Sequence, residues 1–408
     1  MTREEARALD AADPFRLCRG RFALPADTIY LDGNSLGALP TATAARVAAT
    51  VAEEWGEGLI RSWNAAGWID APARLGSKLA PLIGAASHEV IVADSTSVNL
   101  YKLLVAALGT TGRRIILTEA GNFPTDLYLA QGVAATLPGV EVRAVPRDRI
   151  LDAIGPDVAV VMLTHVHYRT AERFDLATVT AAAQAAGALM LWDLSHSVGA
   201  VPVELDAANV DLAVGCGYKY LNGGPGAPAF LFVAERHQAA LRSPLTGWMG
   251  HAAPFDFGDD YAPGTGIRRF LCGTPPILGL AALDIALDEF AGLDTAALFG
   301  KGQALCDLFI TLVEDRCAGF GLTLVTPRDP VKRGSHVSFA HSDAWPVMAA
   351  LIARGVIGDF RAPDLLRFGF TPLYVGFEDV WSAVETLHDV LATRGWDDAR
   401  FHVRATVT

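Results

Sequence analysis

Between about residues 85 and 235 the chain alternates short apolar runs with stretches whose apolar residues recur every three or four positions. Seven of the short runs read as strands: 89–93, 114–118, 140–145, 158–163, 188–193, 211–216 and 229–233. Most are apolar throughout instead of alternating with polar residues. A strand of that kind is covered on both faces, as happens when crossover helices flank a mostly parallel sheet. Gly187 stops the helical run that starts near Leu176, just before ALMLWD. From about residue 280 long helical runs dominate, such as ILGLAALDIALDEFAGL and KGQALCDLFITLVEDR. Short strands are expected near Val325, over 336–339 and over 366–370. Val380, Trp381, Val384, Leu387 and Leu391 share one face of a last helix. The pattern predicts an N-terminal arm (1–60), a large α/β domain with a mostly parallel seven-stranded sheet (61–279), and a smaller C-terminal α+β domain (280–408).

Composition narrows the function classes. The chain has 408 residues, 51% of them hydrophobic and 19% charged, which describes a globular protein with a large core. A net charge of −12 disfavours nucleic-acid binding, which needs a basic face to neutralise phosphates. The five cysteines, Cys18, Cys216, Cys272, Cys306 and Cys317, are scattered and show no CxxC spacing. Neither a disulfide framework nor a zinc site is expected, and a reducing compartment fits. The start, MTREEARALDAADPF, lacks the basic head and apolar run of a signal peptide. No stretch reaches the ~18 uninterrupted apolar residues of a membrane span. A cytoplasmic protein that binds neither nucleic acid nor membrane is the expectation.

The most informative stretch runs from Asp193 to Lys219. Asp193 ends the run ALMLWD, and Lys219 follows the run DLAVGCG, 26 positions later (219 − 193). In an open α/β sheet, ligands sit beyond the carboxyl ends of the strands. One strand–helix–strand step would bring both residues to one crevice there. Pyridoxal 5′-phosphate (PLP) needs these two types: a lysine to hold its aldehyde as an imine, and a carboxylate to keep the pyridine nitrogen protonated. Taken alone, Lys219 reads as a surface lysine and Asp193 as an Asx turn; the pairing argues against both. The run DSTSVN (94–99) opens a helix, where hydroxyls and free N–H groups form an anion site or plain N-caps. Phe123, at a strand-to-helix turn before Pro124, suits ring stacking or a hydrophobic staple. Arg367, flanked by apolar residues, suits carboxylate binding or a structural ion pair.

Two patterns point elsewhere and are set aside. GNSLG (33–37) spells the GxSxG of a nucleophile elbow, but it precedes most of the sheet such an elbow needs and Pro40 follows it. It fits a glycine-rich loop approaching the site. His165 and His167 alternate at a strand end, yet no clear metal ligand set accompanies them.

Eight runs, in order from YLDGNSLG (30–37) through DSTSVNL (94–100), NFPTD (122–126), WDLSHSVGAV (192–201), GYKYLNGGPGA (217–227), GWMGH (247–251), PPIL (275–278) and TPLYVGFEDV (371–380), together resemble the kynureninases of bacterial type. These are PLP-dependent enzymes of fold type I, in the class V aminotransferase-like group. The Asp…Lys pair is shared by many fold-type I enzymes; GNSLG and GWMGH are much more particular. The resemblance implies hydrolysis of L-kynurenine to anthranilate and L-alanine by Cβ–Cγ cleavage. It makes Lys219 the Schiff-base lysine, Asp193 the pyridinium partner with His196 beside it, and Tyr218 a proton-transfer group. Phe123 corresponds to the ring-stacking aromatic and Asp126 to a nearby carboxylate. Thr96, Ser97 and Tyr218 correspond to phosphate ligands, and Thr164 to a further cofactor-proximal position. Arg367 corresponds to the arginine that binds the substrate carboxylate. Trp248 and Thr274 match residues supplied by the neighbouring subunit, which implies a homodimer. Trp63 and Thr274 match positions that favour L-kynurenine over its 3-hydroxy form. An aminotransferase would keep Asp193 and Lys219. A desulfurase would need a cysteine on a loop between 320 and 343, where there is none. A non-catalytic PLP-binding module would have no need of Lys219 and Arg367 together.

Overall fold

The computed structural model describes residues 1–404. After a short N-terminal strand β1 (Ile29–Tyr30), seven strands build the main sheet: β2 (Val90–Val92), β3 (Ile115–Glu119), β4 (Glu141–Val145), β5 (Val158–Thr164), β6 (Leu189–Asp193), β7 (Leu212–Gly215) and β8 (Phe230–Val233). Their order is β2-β8-β7-β6-β5-β3-β4. Only β8 runs against its neighbours; the other contacts are parallel. Every residue of β2, β5, β7 and β8 is buried. The continuous apolar runs are therefore strands packed on both faces, as the sequence pattern implied. One hydrophobic cluster fills each side of the sheet, with alternate residues such as Leu163 and Met162 divided between them.

Local capping explains where the flanking helices start. Asp175 accepts a hydrogen bond from Thr178 N and opens Leu176–Ala185; Gly187, at φ +76°, turns the chain into β6. Ser95 opens Thr96–Leu108, and Pro124 opens Pro124–Thr136.

The C-terminal part holds a second sheet from β9 (Thr323–Leu324), β10 (His336–Ala340), β12 (Asp359–Arg361) and β13 (Leu365–Gly369), ordered β12-β13-β10-β9 and antiparallel throughout. The sequence pattern missed β12, which is three residues long. It also missed β11 (Val356–Ile357), which pairs with β1. So short a strand carries too little periodicity to register, and its pairing is made by distant residues. The N-terminal helix Arg3–Ala12 lies on helix Phe377–Ala392, and Asp10 caps that helix by accepting from Phe377 N and Glu378 N. Helix Thr295–Arg316 is long and apolar enough to cross a membrane by length and composition, but 56% of that stretch is buried against Phe377–Ala392 and β10.

A buried lysine ties the start of helix Thr96–Leu108 to a distant loop. Lys102 is fully buried, and its Nζ donates to Asp94 Oδ2 and to Phe270 O, both at 2.6 Å. Removing the cation leaves the Phe270 carbonyl without its donor and Asp94 with only the weak Cys272 thiol. We expect Lys102→Met to lower the unfolding free energy by about 3 kcal/mol, read as a lower urea midpoint with an unchanged slope. An unchanged midpoint would show that the pair adds nothing to stability.

Candidate active site

Parallel pairing aligns the carboxyl ends of the central strands. Thr164 is in register with Asp193, and Asp193 with Val214. Lys219 follows β7 after a tight Gly217–Tyr218 turn and is buried. Its Nζ lies 3.0 Å from His196 Nε2 and 5.6 Å from the centre of the Phe123 ring. Asp193, also buried, accepts from Ser195 N at 2.9 Å and Ser195 Oγ at 2.6 Å, both through Oδ1. Its Oδ2 meets no protein donor among the described residues. Gly37 of the GNSLG loop donates its N–H to Tyr218 O at 2.8 Å, and a Cβ there would come within 2.3 Å of Lys219 O. Only glycine lets that loop press against the lysine turn.

Burial controls the charge of each group. It pushes the Lys219 amine below its ordinary value, although Cys216 and Asp193 oppose the shift. Burial also raises Asp193. It raises Asp126 well above the carboxylate range, with the neighbouring Asp193 adding to the effect. His196 is held well below its usual value by burial and then by Lys219. Thr164 Oγ1 sits 2.5 Å from Asn122 Oδ1 and 3.1 Å from Asp126 Oδ2. One hydroxyl proton serves only one of them, so a protonated Asp126 donating back to Thr164 satisfies both. Burial likewise raises the Tyr218 hydroxyl, which stays protonated at neutral pH.

One cavity is lined by nine of the residues singled out from the sequence: Thr96, Ser97, Phe123, Asp126, Thr164, Asp193, His196, Tyr218 and Lys219. A PLP group fits this donor set. Asp193 Oδ2 is open to a pyridinium, Phe123 offers a ring face, and Lys219 an amine. The first backbone N–H groups of Thr96–Leu108, with the Thr96 and Ser97 hydroxyls, would hold the phosphate. Trp63, Trp248 and Thr274 do not line the cavity. Trp63 packs edge-on against Trp68 (6.1 Å) and Trp248 (6.4 Å), and Thr274 is exposed. Arg367, on β13, is fully buried and held by Asp359, Ser35 and the Tyr168 carbonyl.

Residues 298–387 match the family described as Kynureninase C-terminal domain. Along its whole length the chain is 56% identical to the kynureninase of Burkholderia mallei (strain SAVP1) and 53% identical to that of Pseudomonas fluorescens, with 100% of each relative covered. The chain belongs to the kynureninase family. Kynureninases are PLP-dependent hydrolases of a carbon–carbon bond, and PLP is the cofactor this cavity fits. Among solved structures, the fold matches a lysine mutant of C-DES with glycine covalently linked to the PLP cofactor (TM-score 0.80, 18% identity, 91% of this chain and 99% of that one). It also matches the cysteine desulfurase CsdA of Escherichia coli (TM-score 0.77, 20% identity, 93% and 99%). At that identity the likeness concerns the fold alone, which is fold type I.

Several residues of this kynureninase site escaped the sequence reading. Ser195 orients Asp193, Asn122 orients Thr164, and Ser35 and Asp359 hold Arg367. The run Asp359-Phe360-Arg361 alternates charges around one apolar residue, which on a strand places both charges on one face. That was the available signal for the last group. His165 and His167, weighed as metal ligands, bond instead to Ser197 Oγ (2.9 Å) and Gly121 O (3.0 Å). No metal-holding cluster occurs among the described residues.

His165 also gives the site a defined response to acid. Burial, then Arg173 and Arg147, lower it from 6.5 to about 3, so it is neutral in the native protein. Between those values the unfolded chain binds the extra proton, and stability is lost as pH falls below about 6.5. His196 and His336 are shifted the same way. We expect His165→Gln to reduce the slope of unfolding free energy against pH by up to about 1.4 kcal/mol per pH unit in that window, measured by urea titration. An unaltered slope would mean that His165 does not hold its neutral form.

Proposed function

We propose that this chain hydrolyses L-kynurenine to anthranilate and L-alanine at the Lys219 cavity. The observation that carries this reading is a buried lysine with a lowered proton affinity, facing Asp193 and Phe123 in a chain similar to kynureninases from end to end. When bound, PLP supplies the aldehyde that takes the substrate amine and a protonated ring that withdraws electrons from it. The protein then has four tasks. Arg367 orients the substrate through its carboxylate. The Lys219 amine, its proton affinity lowered by burial, removes the proton from Cα. Asp193 keeps a positive charge in place at the ring nitrogen. Tyr218, which stays protonated, can give a proton as water attacks the γ-carbonyl and the Cβ–Cγ bond breaks.

A homodimer is part of the proposal. Trp63, Trp248 and Thr274 stand outside the cavity of their own chain, and Trp248 packs against the exposed Phe255 and shares a surface recess with the exposed Phe257. A second copy seated there would cover that surface and receive those residues at its own site. We further propose that Trp63 and Thr274 bias the site toward L-kynurenine over the 3-hydroxy form, that the chain works in the cytoplasm, and that it divides at residues 60 and 279. The division is supported by the placement of the seven-stranded sheet within 90–233 and the four-stranded sheet within 323–369.

The first test is PLP-loaded protein mixed with L-kynurenine, following anthranilate fluorescence, with 3-hydroxykynurenine in parallel. We expect Lys219→Ala to lose turnover by at least about 1,000-fold. Normal turnover in that variant would remove Lys219 from the reaction. Trp63→His should shift the ratio of kcat/KM values toward the 3-hydroxy substrate by about 10-fold. Sedimentation should give twice the chain mass of 43.2 kDa; a monomer with full activity would refute the shared site.

A further inference from the structure

Arg367 has little left to offer a substrate carboxylate. Its Nε donates to Asp359 Oδ1 at 2.7 Å, and its Nη2 to the other oxygen of that carboxylate and to Ser35 Oγ at 2.8 Å. Its Nη1 donates to Tyr168 O at 2.6 Å. Four of the five N–H groups of a guanidinium are thus engaged. The edge that would meet a carboxylate side-on is filled by Asp359. What remains is one N–H, enough for a single bond and not for a bidentate clamp.

Arg361 is in the opposite condition. Its Nη2 reaches Asp359 Oδ2 at 2.5 Å and Ser35 Oγ at 3.2 Å, the same two groups that hold Arg367. Its Nε is buried without a partner, and its Nη1 donates to nothing among the described residues. The side chain is 35% exposed, against 1% for Arg367, so Nη1 can be reached, while Nε is shielded. A buried N–H left unpaired on a cation is costly unless a ligand supplies the acceptor. The charge of Arg361 also acts at the reacting centre. Arg361 and Arg367 both depress Lys219 and His196, and Arg361 acts on the Tyr218 hydroxyl. Two guanidinium groups face one ionised carboxylate, Asp359. Asp32 beside them is pushed up to about 7 by burial and then by Asp359, so it offsets only part of the excess positive charge near neutrality.

We propose that Arg361 binds the α-carboxylate of the substrate together with Arg367, the two guanidinium groups sharing Asp359 and Ser35 on the side away from the ligand. Arg367 contributes one donor and a fixed position. Arg361 contributes Nη1 and its charge. This rests on the reading of the cavity as an amino-acid site. The alternative is that Arg361 only neutralises Asp359.

The test uses PLP-loaded protein, Arg361→Gln and Arg361→Lys. The probes are deamino-kynurenine, an acid without the amine needed to join the cofactor, and its carboxamide, each titrated by calorimetry. The dissociation constant of the acid should rise about 10- to 100-fold in Arg361→Gln and less in Arg361→Lys, which keeps the charge but loses the planar fork. Binding of the carboxamide should not change. In turnover of L-kynurenine, KM should rise by a larger factor than kcat falls. Equal weakening of acid and carboxamide, or no weakening of the acid, would overturn the proposal. If Arg361→Gln does not fold, the acid-to-carboxamide ratio in Arg361→Lys decides in the same way. Wild-type protein that discriminates acid from carboxamide through Arg361 but releases no anthranilate would refute the kynurenine reading and leave this one standing. Turnover of kynurenine with binding indifferent to Arg361 would do the reverse.

Discussion

A primary amine buried without a carboxylate partner is the constraint around which this protein is arranged. Lys219 touches His196, and the nearest acids, Asp193 and Asp126, act on it only through space. An ion pair would hold the amine protonated and useless as a base or nucleophile. Burial shifts the balance toward the neutral form instead, and the same burial raises the proton affinity of both acids, Asp126 the more strongly. The site is therefore tuned by exclusion of water as much as by any single contact. The sheet supplies that exclusion, because its central strands are buried on both faces right up to their carboxyl ends.

Around this centre the chain converges from distant parts of the sequence. The GNSLG loop presses on the lysine turn through Gly37, and Ser35 from the same loop reaches Arg367 on β13. The loop is held from behind by β1, which pairs with β11, and by Leu31, whose carbonyl accepts from Gly369 N. The N-terminal helix caps helix Phe377–Ala392 through Asp10, and Lys301 pairs with Asp13 while donating to Pro372 O. These contacts join the first residues of the chain to the 371–376 segment just after the arginine strand. Lys219 follows a strand of the large sheet and Arg367 lies in the small one, and an N-terminal segment belonging to neither joins them.

The legible part of the site was the part carried by local pattern. Asp193 and Lys219 each end a strand whose apolar run is unmistakable, and parallel pairing forces such ends together. Thr96 and Ser97 open a helix, and Phe123 precedes one; both positions follow from caps and from Pro124. Arg367 was visible as a charge among apolar residues, but its partners were not. Ser35 and Asp359 lie 332 and 8 positions away, and nothing local ties them to it. The two readings left open for Arg367, structural ion pair and carboxylate binder, turn out to be compatible: the structure contains the ion pair, and the pair fixes the guanidinium where a ligand would meet it.

What the sequence determined by itself is the order and type of elements in the main sheet, the group of residues that meets in one cavity at the carboxyl ends of its strands, and the family. Hydrophobic period, caps and glycine positions are properties of neighbouring residues, and they survive any arrangement in space. Only the tertiary structure decided charge and partnership. Whether Lys219 is neutral, whether Asp126 keeps its proton, and which donors of Arg361 and Arg367 remain free depend on burial and on groups hundreds of residues apart. Desolvation is a property of the assembled environment, and no run of adjacent residues encodes it.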